Sequence, residues 1–278
     1  MLCYNVFIIY DIWSESMDDK IRTFKKCKIF NDDCMKILKI IPDNTIDLIL
    51  TDPPYNISKY STGNIPLANR SELNNNIASW DLEDLNPFDL VSDFKRILKP
   101  DGNIFIFTSY NQIGKWHEAF DSEFDTFQFL IWHKTNPPPK IYKNGFLNSC
   151  EMIICMWNRG HKWNFTTQNE MHNFIESPIC MGNERLKNPK HPTQKPLKVL
   201  EHIIKIASNE NDLIFDPFMG VCSTGIAALK LNRLFAGCEI DKEYFDASVK
   251  RIETFYKSKQ TNCFIKENGI TYHGKLDW

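Results

Sequence analysis

Thr51-Asp52-Pro53-Pro54-Tyr55-Asn56 sets a carboxylate, a fixed backbone carbonyl and an aromatic ring side by side. Two consecutive prolines fix φ and remove backbone donors, so the Pro53 carbonyl is held with no neighbouring N–H competing for it. Such a set can accept both hydrogens of a planar amine while the ring stacks on the system that carries it. A second set, Asp216-Pro217-Phe218-Met219-Gly220 followed by Val221-Cys222-Ser223-Thr224-Gly225, joins an acid to a glycine turn that opens a helix. Backbone N–H groups at a helix N-terminus point at a bound ligand. Glu239 follows Asp216 by 23 residues, and dinucleotide-type folds place an acid about 20 positions on, where it grips ribose hydroxyls. The two sets predict an adenosine-like ligand beside an amine-accepting pocket. The absence of a GxGxxG run counts against a nicotinamide.

The elements that must position these groups follow from the apolar pattern. Residues 46–50 (IDLIL), bounded by Pro42-Asp43-Asn44 and Pro53-Pro54, predict a buried strand ending in a rigid turn. A short helix precedes it over 33–41. Residues 87–98 place Phe88, Val91, Phe94, Ile97 and Leu98 on one helical face. Pro100-Asp101-Gly102 stops that helix, and 103–108 (NIFIFT) predicts another buried strand. Helix 115–123 and strands 127–132 and 151–157 follow. Between Pro137 and Pro192 the periodicity weakens, as it does in an inserted, function-specific region. Regular alternation resumes with helix 195–207, strand 212–216, helix 223–231, strand 234–239 and a final helix over about 243–257. Strands alternating with helices predict an α/β fold: a mostly parallel, twisted sheet with helices on both faces.

Hydrophobic residues make up 42% and charged residues 24% of 278, the composition of a globular chain. No apolar run approaches the roughly 18 residues of a membrane span. The early run 5–10 (NVFIIY) lacks a basic lead and a cleavage site; it reads as a strand or a leader, with Met17 a second candidate start. Nine cysteines, an odd number without a CxxC pair, predict free thiols in a reducing cytoplasm and no metal site. The net charge of −2 conceals an asymmetry. Residues 130–200 carry ten Lys/Arg against four Glu, +6, and the rest of the chain is −8. A basic segment on an acidic body, interleaved with Trp132, Tyr142, Phe146, Trp157, Trp163, Phe165 and Phe174, suits a nucleic-acid cleft.

The motifs together resemble the amino-group DNA methyltransferases that use S-adenosylmethionine, in their β-group arrangement. DPPY at 52–55, HPTQKP at 191–196 and DPFMG at 216–220 stand in that family's order, with a variable region between the first two. The resemblance covers about residues 28–255. It implies a Rossmann-like class I methyltransferase fold in circularly permuted order, divided as an N-terminal extension 1–27, a catalytic half 28–133, a target-recognition region 134–190, a cofactor half 191–257 and a tail 258–278. It further implies that Asp52, Pro53, Pro54 and Tyr55 hold a flipped base, and that Asp33, Asp52, Asp216, Phe218, Gly220, Cys222, Ser223, Thr224 and Glu239 surround the cofactor. Thr193, Gln194 and Lys195 would lie near its methionine end, and Asn136-Pro137 in a target-side loop.

The implied reaction is methyl transfer to the N6 amine of adenine in double- or single-stranded DNA, with N4 of cytosine as the alternative acceptor. The implied partners are a second copy of the chain and a cognate restriction endonuclease, in a bacterial or phage-infected cytoplasm. One departure stands out: where the family loop has a second glycine, this chain has Cys222, and a Cβ is penalised where φ is positive or a ligand approaches closely. On that basis Cys222→Gly is expected to tighten cofactor binding, and a catalytically impaired DNA-binding homologue is a competing reading. A nicotinamide oxidoreductase built on Asp216 and Glu239 leaves DPPY and HPTQKP without a role.

Overall fold

The computed structural model of the protein describes residues 19–55, 85–140, 143 and 145–267. In chain order the elements are β1 (Ile21–Phe24), β2 (Cys27–Phe30), α1 (Cys34–Ile40), β3 (Ile46–Thr51), α2 (Phe88–Ile97), β4 (Leu98–Thr108) and α3 (Ile113–Phe120). There follow β5 (Thr126–Lys134), β6 (Cys150–Trp157), β7 (Phe174–Ser177), α4 (Leu197–Ala207), β8 (Leu213–Asp216), α5 (Ser223–Lys230), β9 (Leu234–Cys238) and α6 (Lys242–Glu267).

The strands form one sheet in the order β1-β2-β9-β8-β3-β4-β6-β5-β7. β2, β9, β8, β3 and β4 pair in parallel; β1 and β6 run against their neighbours, and β5 and β7 run with the majority. Period-two alternation assigns the two faces. Leu48 and Leu50 of β3, Phe105 and Phe107 of β4, and Ile153 and Cys155 of β6 pack with Val199, Ile203, Ile226 and Phe245 of α4, α5 and α6. Their neighbours Ile49, Ile104, Ile106 and Ile154 pack with Leu38, Phe94 and Phe120 of α1, α2 and α3. The sheet is therefore covered on both sides, and β3 is buried at every position, which is why its sequence is a continuous apolar run rather than an alternation.

From β3 the chain passes one way to β4, and from β8 the other way to β9. The order therefore reverses between β8 and β3, and open α/β sheets bind ligands outside the strand ends at such a switch point. Thr51 ends β3 and Asp216 ends β8. Thr51 Oγ1 donates to Asp216 Oδ1 at 2.7 Å, joining two residues 165 positions apart.

Several expectations need correction. The hairpin β1–β2 begins inside the supposed N-terminal extension, and β2 pairs with β9. β6 and β7 fall within the supposed target-recognition region, yet β6 lies inside the sheet between β4 and β5. That division therefore cuts through the core. β4 starts at Leu98, but its register jumps from Leu98 opposite Ile46 to Asn103 opposite Leu48, so the Pro100–Gly102 stop survives as a bulge. α6 runs to Glu267, into the supposed tail. The run 5–10, Met17, Asn56, Tyr142 and residues 268–278 lie outside the described residues.

Candidate active site

Asp52 to Tyr55 leave the C-terminal end of β3 and meet side chains from three other elements. Lys195, 5% exposed just before α4, donates from Nζ to Asp52 Oδ2. The Tyr55 hydroxyl donates to Asp52 Oδ1 at 2.6 Å. Glu151, the second residue of β6, places Oε2 3.3 Å from Lys195 Nζ and 3.4 Å from the Tyr55 hydroxyl. Its Oε1 lies 2.7 Å from Nζ of Lys134, the last residue of β5. The Lys195 ammonium also sits 5.4 Å from the Tyr55 ring centre and 5.1 Å from that of Phe107, within reach of a cation–π attraction. Gln112 Nε2 and Asn111 Nδ2, beyond β4, donate to the Tyr55 carbonyl and steady the turn.

Burial governs the titration of this cluster. It raises the Asp52 carboxyl above its usual range, and Lys195 only partly offsets it. Burial also works against ionised Glu151, but Lys195 and Lys134 outweigh it and hold that carboxyl below its ordinary value. The Lys195 ammonium loses by burial and gains more from Asp52 and Glu151, so its pKa is raised. Tyr55 is pushed well up, first by burial and then by the two carboxylates, and so remains a phenol that can donate.

A cavity of about 330 Å³ opens beside the cluster, between the ends of β2, β9, β8 and β3. Asp52, Pro53, Pro54, Tyr55, Thr193, Gln194, Lys195, Asp216, Phe218, Gly220, Ser223, Thr224, Glu239 and Asp33, all singled out in the sequence, line it together. Asp33 is also the N-cap of α1, accepting from Met35 N at 2.9 Å. Asp216 accepts from Thr51 and Phe218 N, and burial still lifts its carboxyl to about 6. Burial lifts Glu239, at the end of β9, to about 7. Gly220 has φ +52°, and a Cβ there would stand 3.0 Å from His191 Nε2. Ser248 and Arg251 of α6 donate to the Gly220 and Val221 carbonyls and tie the turn down.

Two members of the predicted set do something other than expected. Gln194 spends both ends of its amide on the loop before it, accepting from Leu186 N at 2.9 Å and donating to the Glu184 carbonyl at 2.8 Å. Cys222 does not line the cavity. It adopts φ 61°, ψ 39° at the N-cap of α5, which meets the positive-φ condition, but its side chain is fully buried in the core shared with Phe235 and Ile226. Glu151 and Lys134 were missed altogether, since neither belongs to a motif.

The ten cations of the basic segment divide by location. Lys134 and Lys195 are inside the site. Lys140, Lys143, Lys187 and Lys190 are exposed on the loops after β5 and β7, at the cavity end of the sheet. Lys162 is at the opposite end, bonded to buried Asp47 and to Asp212. Trp132 and Trp157 are core residues, whereas Phe146 is 96% exposed on the loop between β5 and β6. Among the described residues no helix is long and apolar enough to cross a membrane.

Comparison with known proteins agrees with this geometry. The family model for N6/N4 methylases, described as DNA methylase, matches residues 46–250. The type II methyltransferase M.HinfI of Haemophilus influenzae is 31% identical over 258 residues, 86% of this chain and 70% of that protein. The type II methyltransferase M2.LlaDCHI of Lactococcus lactis subsp. cremoris is 32% identical over 240 residues, 79% of this chain and 87% of the relative. The crystal structure of the M1.HpyAVI–SAM complex superposes with a TM-score of 0.59 at 29% identity, covering 81% of this chain and 99% of that one. A β3 turn carrying Asp-Pro-Pro-Tyr beside a carboxylate-lined cavity thus meets a family match over most of the chain: the protein belongs to the N6/N4 DNA methylases, the DNA amino-methyltransferases that depend on S-adenosylmethionine.

Proposed function

We propose that the protein transfers a methyl group from S-adenosylmethionine to the N6 amine of an adenine turned out of DNA. The observation that carries this reading is that Asp52-Pro53-Pro54-Tyr55 share one cavity with Asp216 and Glu239 at the sheet's switch point. The residues present fit the cofactor: among the described residues Asp32, Asp33, Asp52, Asp89, Asp216 and Glu239 line the cavity against a single lysine, Lys195, so it favours a cationic ligand. Glu239 would hold the ribose hydroxyls, the Phe218–Thr224 turn would surround the nucleoside, and Thr193 and Lys195 would face the methionine end. When bound, S-adenosylmethionine supplies an electrophilic methyl group on a sulfonium.

The chain's own residues then act on the acceptor. Turning a base out of the helix costs a few kcal/mol, and stacking on Tyr55 returns about 1–3 kcal/mol. The Asp52 carboxylate and the Pro53 carbonyl accept the two amine hydrogens, which draws the nitrogen lone pair out of conjugation with the ring. Pro54 keeps the turn rigid and offers no competing N–H. No covalent enzyme intermediate is required, so positioning and electrostatics carry the rate. Asp at the first motif position favours adenine in the family this chain resembles. The exposed lysines on the loops after β5 and β7 suit a phosphate backbone, which they would position without reading its sequence. A homodimer and a cognate restriction endonuclease belong to the same reading.

The experiment is transfer of labelled methyl from S-adenosylmethionine to unmodified DNA, with Asp52→Ala alongside and the nucleosides separated by mass. Labelled N6-methyladenine that disappears in the variant is the expected result. Labelled N4-methylcytosine would overturn the acceptor and keep the site. Absence of label from DNA, with cofactor bound, would overturn the substrate.

A further inference from the structure

Behind the Asp52–Tyr55 turn lies a largely buried set of four charges, Asp52, Lys195, Glu151 and Lys134, of which only the first two line the cavity. Both oxygens of Asp52 meet a donor, Lys195 Nζ at one and the Tyr55 hydroxyl at the other. Both of those donors also lie within 3.4 Å of one further atom, Glu151 Oε2. Glu151 thus contacts both donors that aim Asp52, and Lys134 holds its other oxygen.

We propose that Glu151, backed by Lys134, is a positioning residue of the methyl transfer: it fixes Lys195 and the Tyr55 hydroxyl against Asp52, and so presents Asp52 to the target amine correctly oriented. The inference rests on the reading of Asp52–Tyr55 as the acceptor side of the site.

Stability alone does not account for the cluster. Taking two carboxylates and two ammonium groups largely out of water is unfavourable for each ion, and an apolar set of similar volume is commonly as stable or more so. The cluster is formally neutral, two plus against two minus. It stands at the C-terminal ends of β3 and β5 and the start of β6, the end of the sheet where the cavity opens. Position and balance together set the charge felt by Asp52. Removing the Glu151 charge leaves a surplus cation beside Asp52, whereas removing the Lys134 charge leaves a surplus anion. Among the described residues the other titratable groups around Asp52 are Tyr55, which donates to it, and Asp216 at the end of β8. His191 completes the surroundings: burial and then Lys195 lower it to about 4, and it stays neutral above that pH.

The test is a pair of variants in the full chain, Glu151→Gln and Lys134→Met, with Asp52→Ala as the control on the underlying reading. Melting temperature, cofactor affinity by calorimetry, and kcat and KM for DNA as a function of pH would be measured on each. Cofactor affinity within about twofold of the parent is expected in both, because neither residue reaches the cavity. In Glu151→Gln, kcat should fall by about tenfold or more, with little change in KM. The acidic limb of kcat should move to lower pH in Glu151→Gln and to higher pH in Lys134→Met, by about half a unit or more. A purely structural role would not move that limb in opposite directions. An unmoved limb, or shifts of the same sign, overturns the proposal, as does a Glu151→Gln enzyme whose only defect is stability. Should Glu151→Gln fail to fold, Lys134→Met decides alone, and an acidic limb that does not rise overturns the proposal. Full methylation by Asp52→Ala would instead overturn the acceptor reading itself.

Discussion

Thr51→Val removes one proton donor at the joint between the two halves of the site and leaves the shape of the side chain almost unchanged. Thr51 Oγ1 donates to Asp216 Oδ1 at 2.7 Å, and the two residues are 1% and 2% exposed. Burial lifts the Asp216 carboxyl from 3.8 to about 6 even with Thr51, Thr224 and Phe218 N favouring the anion. A lift of that size corresponds to about 3 kcal/mol. The folded state holds the proton more tightly than the unfolded chain does. The group's contribution to stability is therefore greatest below pH 3.8 and is lost as the pH rises to about 6. Loss of a hydrogen bond to a charged group costs about 1.5–3 kcal/mol, which moves Asp216 up by a further one to two units, roughly. At pH 8.5 the variant should therefore be about 2 kcal/mol less stable, a fall of about 4–8 °C in Tm for a domain of this size. At pH 5 the acid is largely protonated in both proteins and the deficit should shrink to about 1 kcal/mol or less. Thermal and urea unfolding of both proteins at the two pH values measures this, and the difference cancels every group that titrates alike in each. A deficit equal at pH 5 and pH 8.5, or none at either, would refute the reasoning.

Burial lifts Glu239 to about 7, and on the proposed reading its anion is the stronger acceptor for ribose hydroxyls; cofactor affinity by calorimetry should therefore rise by up to about tenfold from pH 6 to pH 8, and Glu239→Gln should flatten that dependence. Cys222→Gly relieves a left-handed backbone worth about 1 kcal/mol and forfeits a buried side chain of comparable value. Its Tm should change little and its cofactor affinity by less than about twofold, since the side chain does not reach the cavity; a large affinity gain would restore the expectation drawn from the sequence alone. Lys187→Ala with Lys190→Ala should lower the slope of log affinity for DNA against log salt by about two if both lysines meet phosphates, with cofactor affinity unchanged. Lys162→Ala should do the reverse, leaving the salt slope intact and lowering stability by about 2–4 kcal/mol, because it strips a cation from buried Asp47.

Local pattern made part of this site legible in the sequence. The turn at Asp52–Tyr55, the loop from Asp216 and the acid at Glu239 each sit where an apolar run ends, and such runs mark central strands that need little help from context. Asp33 and the Thr193–Lys195 segment came from resemblance. Glu151 and Lys134 carried no such signal. Each is one charged residue at the end of a strand, and only the antiparallel pairing of β5 and β6, Trp132 opposite Glu151, brings the two together beside Tyr55, 96 positions before Glu151. The missed strands share a cause as well. β1, β2 and β7 are four residues long, and with Arg22, Lys28 and Glu176 among them the alternation is too brief to stand out. Lys162 and Trp157 joined the supposed DNA-contact segment through composition alone. Composition does not reveal which end of the sheet a loop occupies.

That distinction between ends explains why the same two strands can be both scaffold and site. β3 carries Asp47 near its start and is followed by Asp52; β8 is preceded by Asp212 and ends in Asp216. At the starting end the carboxylates are closed off. Asp47 accepts from Lys99 at 2.8 Å on both oxygens, from Lys162 and from Leu213 N, which ties β3, β4 and β8 together. At the finishing end Asp52 and Asp216 are held from behind by Lys195, Tyr55 and Thr51 and keep a side toward the cavity. Acids saturated by lysine at one end stabilise a fixed spacing of the strands. Acids that face the cavity at the other, where burial makes their ionisation costly, would on the proposed reading accept a cationic cofactor and an amine. The rigidity of the first set keeps the second aligned, since a ligand site can hold unsatisfied charge only where the surrounding structure prevents its collapse.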